Sequence, residues 1–233
     1  MKKIVAALFF ITSVTCYSQT IVIREDKLIN LALHSLYLED ADGKRTIEDI
    51  LKPEVTGKFK KLDKPFINFG VTSSAFWIKY NLRNETDQKI LIELGNATLT
   101  DIQLYEFDSS GLLAKHHSGN WQPFKVRHTN DVNYQFVLSA KPQVTETIFL
   151  RVLHYRGTQF PFVAGTQAAF LKKNSSRSLF EGMFYGFMLV MVLYNLFIYF
   201  SLKDSAYLYY VLYIFFMAYW NATLNGYAFK YIW

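Results

Sequence analysis

Aromatic and guanidinium side chains, not paired acids or metal ligands, are the residues whose types and spacing point to chemistry in this chain. Across residues 75–83, Trp77 falls in phase with Lys79, Asn81 and Arg83, while Phe76, Ile78, Tyr80 and Leu82 share the opposite face. An indole among long polar side chains can stack on a sugar ring while its neighbours hydrogen-bond the hydroxyls. The same phase equally fits a ring in a second core layer, covered by the N-terminal segment. Trp121, Arg127 and His128 lie in a less regular stretch, where binding side chains tend to collect. Arg127 or Arg151 offers the planar fork that grips a carboxylate at two points. Trp77, Trp121, Arg127 and Arg151 are therefore the ligand-binding candidates, for a carbohydrate or a small organic acid. Arg151 also shares a face with Phe149 and Leu153, which fits a buried ion pair.

Other chemistries find no support. His34, His116, His117, His128 and His154 show no metal-ligand spacing, and the adjacent His116 and His117 are expected as exposed loop residues. There is no glycine-rich phosphate loop, no G-x-S-x-G, and no visible pair of carboxylates at glycosidase spacing. We expect no enzyme, no metal and no cofactor in these residues. The formal net charge is +6, but its densest group, Lys58, Lys60, Lys61 and Lys64, reads as a solvated loop, so no nucleic-acid partner is expected.

The elements that must position the candidates divide the 233 residues in two. Residues 179–233 hold four charges and 20 aromatics in 55 positions, and the rest holds 40 of the 44 charges. Alternation predicts strands across 75–83, 90–94, 102–107, 133–138 and 148–153, with a further strand over 159–164 at an edge or bulge because it carries Pro161. Turn signals at 84–87, 108–111 and 140–142 separate them. Six or more short strands argue for an antiparallel β-sandwich. A helical turn is expected over 46–51, with Thr46 as its cap, Asp49 three residues on, and Pro53 beyond its end.

The two ends address the chain to a membrane. Residues 1–18 carry Lys2 and Lys3, an apolar stretch and a Cys16-Tyr17-Ser18 cleavage signal, and read as a signal peptide. The exported sandwich domain is expected over 19–175. A first transmembrane helix is expected over 179–202, a second over 206–225, and the start of an outer loop over 226–233. Export of 19–178 would place the 201–205 turn in the cytoplasm, although Lys172, Lys173 and Arg177 on the outer flank run against the positive-inside rule. Glu181, Gly182, Gly186, Asn195 and Asp204 are the candidates for a role in membrane signalling. Glu181 would sit at the outer boundary near Lys172 or Arg177. Gly182 and Gly186 permit close helix approach. Asn195 would face another helix, as packing glue or as a relay.

At this point the residues resemble a known family. The run YNLFIYFSLKDSAYLYYVLY (194–213), with Gly182 and Gly186 before it and Leu224-Asn225-Gly226 after it, is similar to the first two helices of the bacterial seven-transmembrane receptors with diverse intracellular signalling modules. SSAFWIKYNLRN (73–84), Gly95, the strand over 99–105, Gly119, Pro123, Phe124, Arg127 and Phe149-Leu150-Arg151-Val152 resemble the type 2 extracellular domain of those receptors. The resemblance implies an all-β, jelly-roll-like sandwich followed by transmembrane α-helices, in the bacterial inner membrane with the N-terminal domain periplasmic. It implies an extracellular ligand and a cytoplasmic kinase, cyclase or DNA-binding regulator beyond Trp233, so the sequence is expected to be a fragment or a truncated product. The competing reading is a membrane-anchored interaction module that docks a partner protein or forms a homodimer.

Overall fold

The computed structural model describes residues 20–232. The expected leader at 1–18, with Cys16, and Trp233 lie outside the described residues. The described chain forms β1 (Thr20–Ile23), β2 (Ile29–Asn30), β3 (Leu36–Asp40), α1 (Ile47–Ile50), α2 (Pro53–Thr56), β4 (Lys60–Lys61), β5 (Ile67–Asn68), β6 (Ala75–Asn84) and β7 (Ile90–Leu94). It continues through β8 (Asp101–Asp108), β9 (Gly111–Ser118), β10 (Tyr134–Val137), β11 (Thr145–Leu153), β12 (Gln159–Phe160) and β13 (Phe162–Thr166), and ends in α3 (Gln167–Leu202), α4 (Ser205–Leu224) and α5 (Tyr227–Tyr231).

Two sheets face one another. The larger runs β4-β3-β6-β11-β8-β9, with β1 lying parallel to the far half of β6, and the smaller runs β10-β7-β13-β2. Because the chain passes repeatedly from one sheet to the other, the sandwich is jelly-roll-like. Strand alternation turns Ile78, Tyr80 and Leu82 of β6, Ile102 and Leu104 of β8, and Ile148, Leu150 and Val152 of β11 inward. There they meet Ile90, Ile92, Leu94, Tyr134, Phe136, Phe162 and Ala164 from the other sheet. Each large apolar side chain buried this way contributes about 1.5–3 kcal/mol. The sequence has one cysteine, so this core holds the sandwich without an internal disulfide.

The outer face of the larger sheet is covered too. Trp77, Tyr105 and Phe149 pack there with Leu36, Leu38 and Phe59 and with Ile47 and Ile50 of α1, forming a second core. The helical turn expected over 46–51 is α1, where the Asp49 carboxylate accepts the Thr46 N–H at 3.1 Å. Pro53 opens α2 instead of merely ending the turn before it, as proline's fixed φ allows at a first helical position. Pro161 breaks the expected 159–164 strand into β12 and β13, because it has no N–H to give a ladder.

The inner face also carries two carboxylates. Glu106 and Glu146 are fully buried; Glu106 accepts Ser139 N–H at 2.8 Å and pairs with His116 at 2.6 Å, whereas neither Glu146 oxygen has a hydrogen-bond partner among the described residues. Burial first, and the Glu106 charge second, push the Glu146 carboxyl up to about 7. The folded state therefore holds a proton that the unfolded chain releases near 4.5. The stability tied to that proton is full below about 4.5 and is lost as pH rises through 7. Glu146→Gln is expected to raise stability at pH 8 by about 2–3 kcal/mol and to change little at pH 4. Thermal melts of the detergent-solubilised chain at the two pH values check this, and an equal effect at both would refute it.

Candidate functional site

The sandwich ends at Thr166, whose Oγ1 accepts the Ala169 N–H and caps α3. The helix is continuous to Leu202, so residues 167–175, expected in the sandwich domain, are its first turns. These turns bury Ala169 and Phe170. Lys173 Nζ lies 2.5 Å from the buried Glu93 of β7, and Arg177 Nη2 reaches both oxygens of Asp131 at 2.7 and 2.9 Å. Asn174 donates to Asp131 at 2.8 Å. Two of the three cations on the flank that opposes the positive-inside rule, Lys173 and Arg177, are thus spent on sandwich carboxylates. α3 is the one helix among the described residues that is long and apolar enough to cross a membrane, judged by length and composition.

A second contact joins the sandwich to the segment after α4. Gly226, at φ +80°, is buried so closely that a Cβ would lie 2.6 Å from the Ala97 Cβ. Phe229 of α5 faces the Arg127 guanidinium at 5.2 Å, and that group also covers Tyr134 at 4.1 Å and Phe124 at 4.7 Å. Arg127 Nη1 donates to Val132 O, while its Nε and Nη2 have no partner among the described residues. Lys230 Nζ donates to Asn130 O at 2.7 Å. Residues 226–233, expected only as the start of a loop, hold α5, which closes against the sandwich.

Three cavities bear on function. One, of about 350 Å³, lies on the outer face of the larger sheet beside Trp77, Gln103, Tyr105, Lys115 and Arg151. A second, of about 450 Å³, lies between sandwich loops carrying Asn120, Trp121, His154 and Tyr155 and the α4–α5 corner, with Thr223, the turn residue Gly226 and Phe229. A third, of about 530 Å³, adjoins it at Ala97 and is lined by Asn96, Asn133, Arg177, Glu181 and Asn225.

The structure distributes the candidates unevenly. Trp77 is fully buried in the second core, so neither ring face is open for stacking, and its Nε1 has no hydrogen-bond partner among the described residues. The segment around α1 and α2 covers it, which β6 alone does not reveal. Arg151 is buried and pairs through Nη1 with Asp101 at 2.8 Å and through Nη2 with Gly43 O at 2.7 Å, so its fork is already occupied. Arg127 is half-buried in its aromatic box. Trp121 is 64% exposed, its ring 6.2 Å from that of Tyr155. His116 and His117 lie on strand β9, not in a loop. Opposite pleats aim the first at Glu106 and the second at Asp101.

In the helices, Glu181 accepts the Tyr227 hydroxyl and not a bond from Lys172 or Arg177, since Arg177 is held by Asp131. Tyr185 donates to Asn221 at 3.1 Å and ties α3 to α4. Asn195 is buried but donates to Met191 O of its own helix at 2.8 Å. Asp204 caps α4 by accepting Ala206 N–H at 2.9 Å. A Cβ on Gly182 or Gly186 would meet nothing within 4 Å among the described residues. Tyr155, His154 and Phe229 went unnoticed as site residues, because nothing in their spacing separates them from ordinary loop and helix positions.

Comparison with known proteins places these features in a family. Residues 34–166 match the family model described as 7TMR-DISM extracellular 2, and residues 177–233 match 7TM diverse intracellular signalling. No curated protein matches the chain. Among solved structures, CsCBM6-3 from Clostridium stercorarium in complex with cellobiose is 18% identical, over 42% of this chain and 79% of that one, with a TM-score of 0.23. A GH31 alpha-xylosidase from Xanthomonas citri is 11% identical, over 57% of this chain and 16% of that one, with a TM-score of 0.24. The sandwich that sets its outer surface against α3, and the apolar helix that leaves it, correspond in order to the two matched models. The chain belongs to the 7TMR-DISM extracellular 2 family, a sensor domain of a membrane signalling receptor joined here to helices of the 7TM diverse intracellular signalling domain.

Proposed function

We propose that the chain is the N-terminal sensory and membrane-entry part of a bacterial signalling receptor. The sandwich lies in the periplasm, binds a carbohydrate or small organic acid, and passes the event through α3 into a seven-helix domain in the inner membrane. α3 crosses that membrane over 179–202, and α4 returns over 206–225. The observation that carries this reading is the continuity of α3. Its 36 residues span about 54 Å at 1.5 Å per residue, against about 30 Å of hydrocarbon. The surplus lies on the sandwich and is pinned by Lys173–Glu93 and Arg177–Asp131. A change in the sandwich's pose is therefore delivered to the membrane helix directly. Ligand shifts that pose only in proportion to its preference for one pose over the other.

Single-cysteine variants test the arrangement in spheroplasts. Ser109→Cys in the β8–β9 turn is expected to react with a membrane-impermeant maleimide. Ser201→Cys is expected to react only after permeabilisation. The reverse pattern would overturn the orientation, and labelling of both without permeabilisation would overturn the span.

A further inference from the structure

The cavity between the sandwich and the α4–α5 corner has walls from both bodies, and its chemistry is one-sided. Trp121 and Tyr155 present rings that are 64% and 48% exposed, inclined at 39° and 6.2 Å apart. Two exposed rings are apolar platforms that water covers poorly, and the C–H face of a pyranose stacks on such rings. Behind them His154 is buried, its Nδ1 3.0 Å from Thr100 Oγ1. Burial, and then the Arg156 charge, hold its pKa below the ordinary imidazole value, so the ring is neutral. Asn120 and Thr98 add amide and hydroxyl groups suited to sugar hydroxyls. Among the described residues the one formal charge in the lining is Arg156, and no carboxylate lines the cavity. A volume of about 450 Å³ lies within the range of small-ligand sites.

We propose that this seam binds an anionic sugar of the uronic-acid class, its ring stacked on Trp121 and Tyr155 and its carboxylate paired with Arg156. This deepens the sensing role proposed above and rests on it. A neutral sugar would leave the exposed guanidinium to water and gain no charge pairing from it, and an amino sugar would meet it as a like charge. Phe229 and Gly226 form the opposite wall, so an occupant touches the sandwich and the α4–α5 corner together. Binding tightens the contact of α5 on the sandwich, which the Arg127–Phe229 stack and the Lys230–Asn130 bond already define.

The test uses the full chain in lipid nanodiscs and titrates D-glucuronate, D-galacturonate, D-glucose and D-glucosamine by calorimetry. Hydrogen exchange of α5 is followed in parallel. Expected are saturable binding of a uronate, at least tenfold weaker binding of glucose and glucosamine, and slower exchange across 227–231 on binding. Trp121→Ala is expected to weaken uronate binding at least tenfold. Arg156→Gln is expected to erase the preference for uronate over glucose. Both side chains are exposed, so an unchanged melting temperature verifies folding. Uronate binding that neither variant alters, or that leaves α5 exchange unchanged, overturns the seam site while leaving ligand sensing in place. Equal affinity for glucose and uronate overturns the anionic class. A chain whose melting temperature responds to no sugar and no small organic acid fails the seam proposal and the sensing role together.

Discussion

Asp101→Leu is expected to destabilise the chain by about 3–5 kcal/mol, the cost of stripping the partner from a buried charge. Asp101 accepts Arg151 Nη1 at 2.8 Å, lies 2.5 Å from His117 Nε2, and receives a 3.2 Å bond from Gln103. Arg151 is 8% exposed. Without Asp101 its buried guanidinium keeps only the Gly43 carbonyl among the described residues, and the small cavity beside it offers only partial rehydration. Replacing both charges, Asp101→Leu with Arg151→Met, is expected to recover most of the loss, because the desolvation cost of both ions goes with them. Thermal melts of the two variants, with Arg151→Met alone, complete the cycle. A single-variant loss below about 1 kcal/mol would mean that the pair is hydrated and that Arg151 is available to a ligand after all.

The second large effect belongs to Gly119→Ala. Gly119 sits at φ +135°, and a Cβ there would lie 2.4 Å from Thr100 O and 2.9 Å from Asp101 Cα. Both obstacles are backbone, so no rotamer change relieves them. Left-handed strain and overpacking each cost about 1–3 kcal/mol, which predicts a loss of about 3–4 kcal/mol. The β8–β9 edge would be pushed from the Asn120–Trp121 loop, so Trp121 emission is expected to shift with the melting temperature. Gly182→Ala is the control, since nothing among the described residues lies within 4 Å of its Cβ position and alanine is the better helix former. Comparable losses in the two variants would remove the backbone-clash explanation.

Much of the fold was legible because burial on one face writes itself into strand sequence. β6, β7, β8, β10 and β11 alternate cleanly, each having one side on the common core. β9 escaped because Gly111–Ser118 is an edge strand with mostly open faces, and an edge places little demand on apolar spacing. The short β2, β4 and β5 have two residues each, too few for a period. α3 and α4 were legible from length and scarcity of charge. The start of α3 was not, because residues 167–178 are polar enough to resemble a loop until Lys173 and Arg177 are seen facing Glu93 and Asp131.

The sequence by itself determined the order of parts: a strand-rich domain with one alternating face, then two apolar helical stretches joined by a polar turn. Periodicity and charge density are local quantities, and the chain carries them before it folds. Only the tertiary structure decided which candidates are open. It buried Trp77 beneath α1 and α2, spent Arg151 on Asp101, and left Trp121 beside Tyr155 at the seam with α5. Those outcomes depend on partners about 20 to more than 100 residues away, and no one-dimensional pattern records which distant residue will cover a given face.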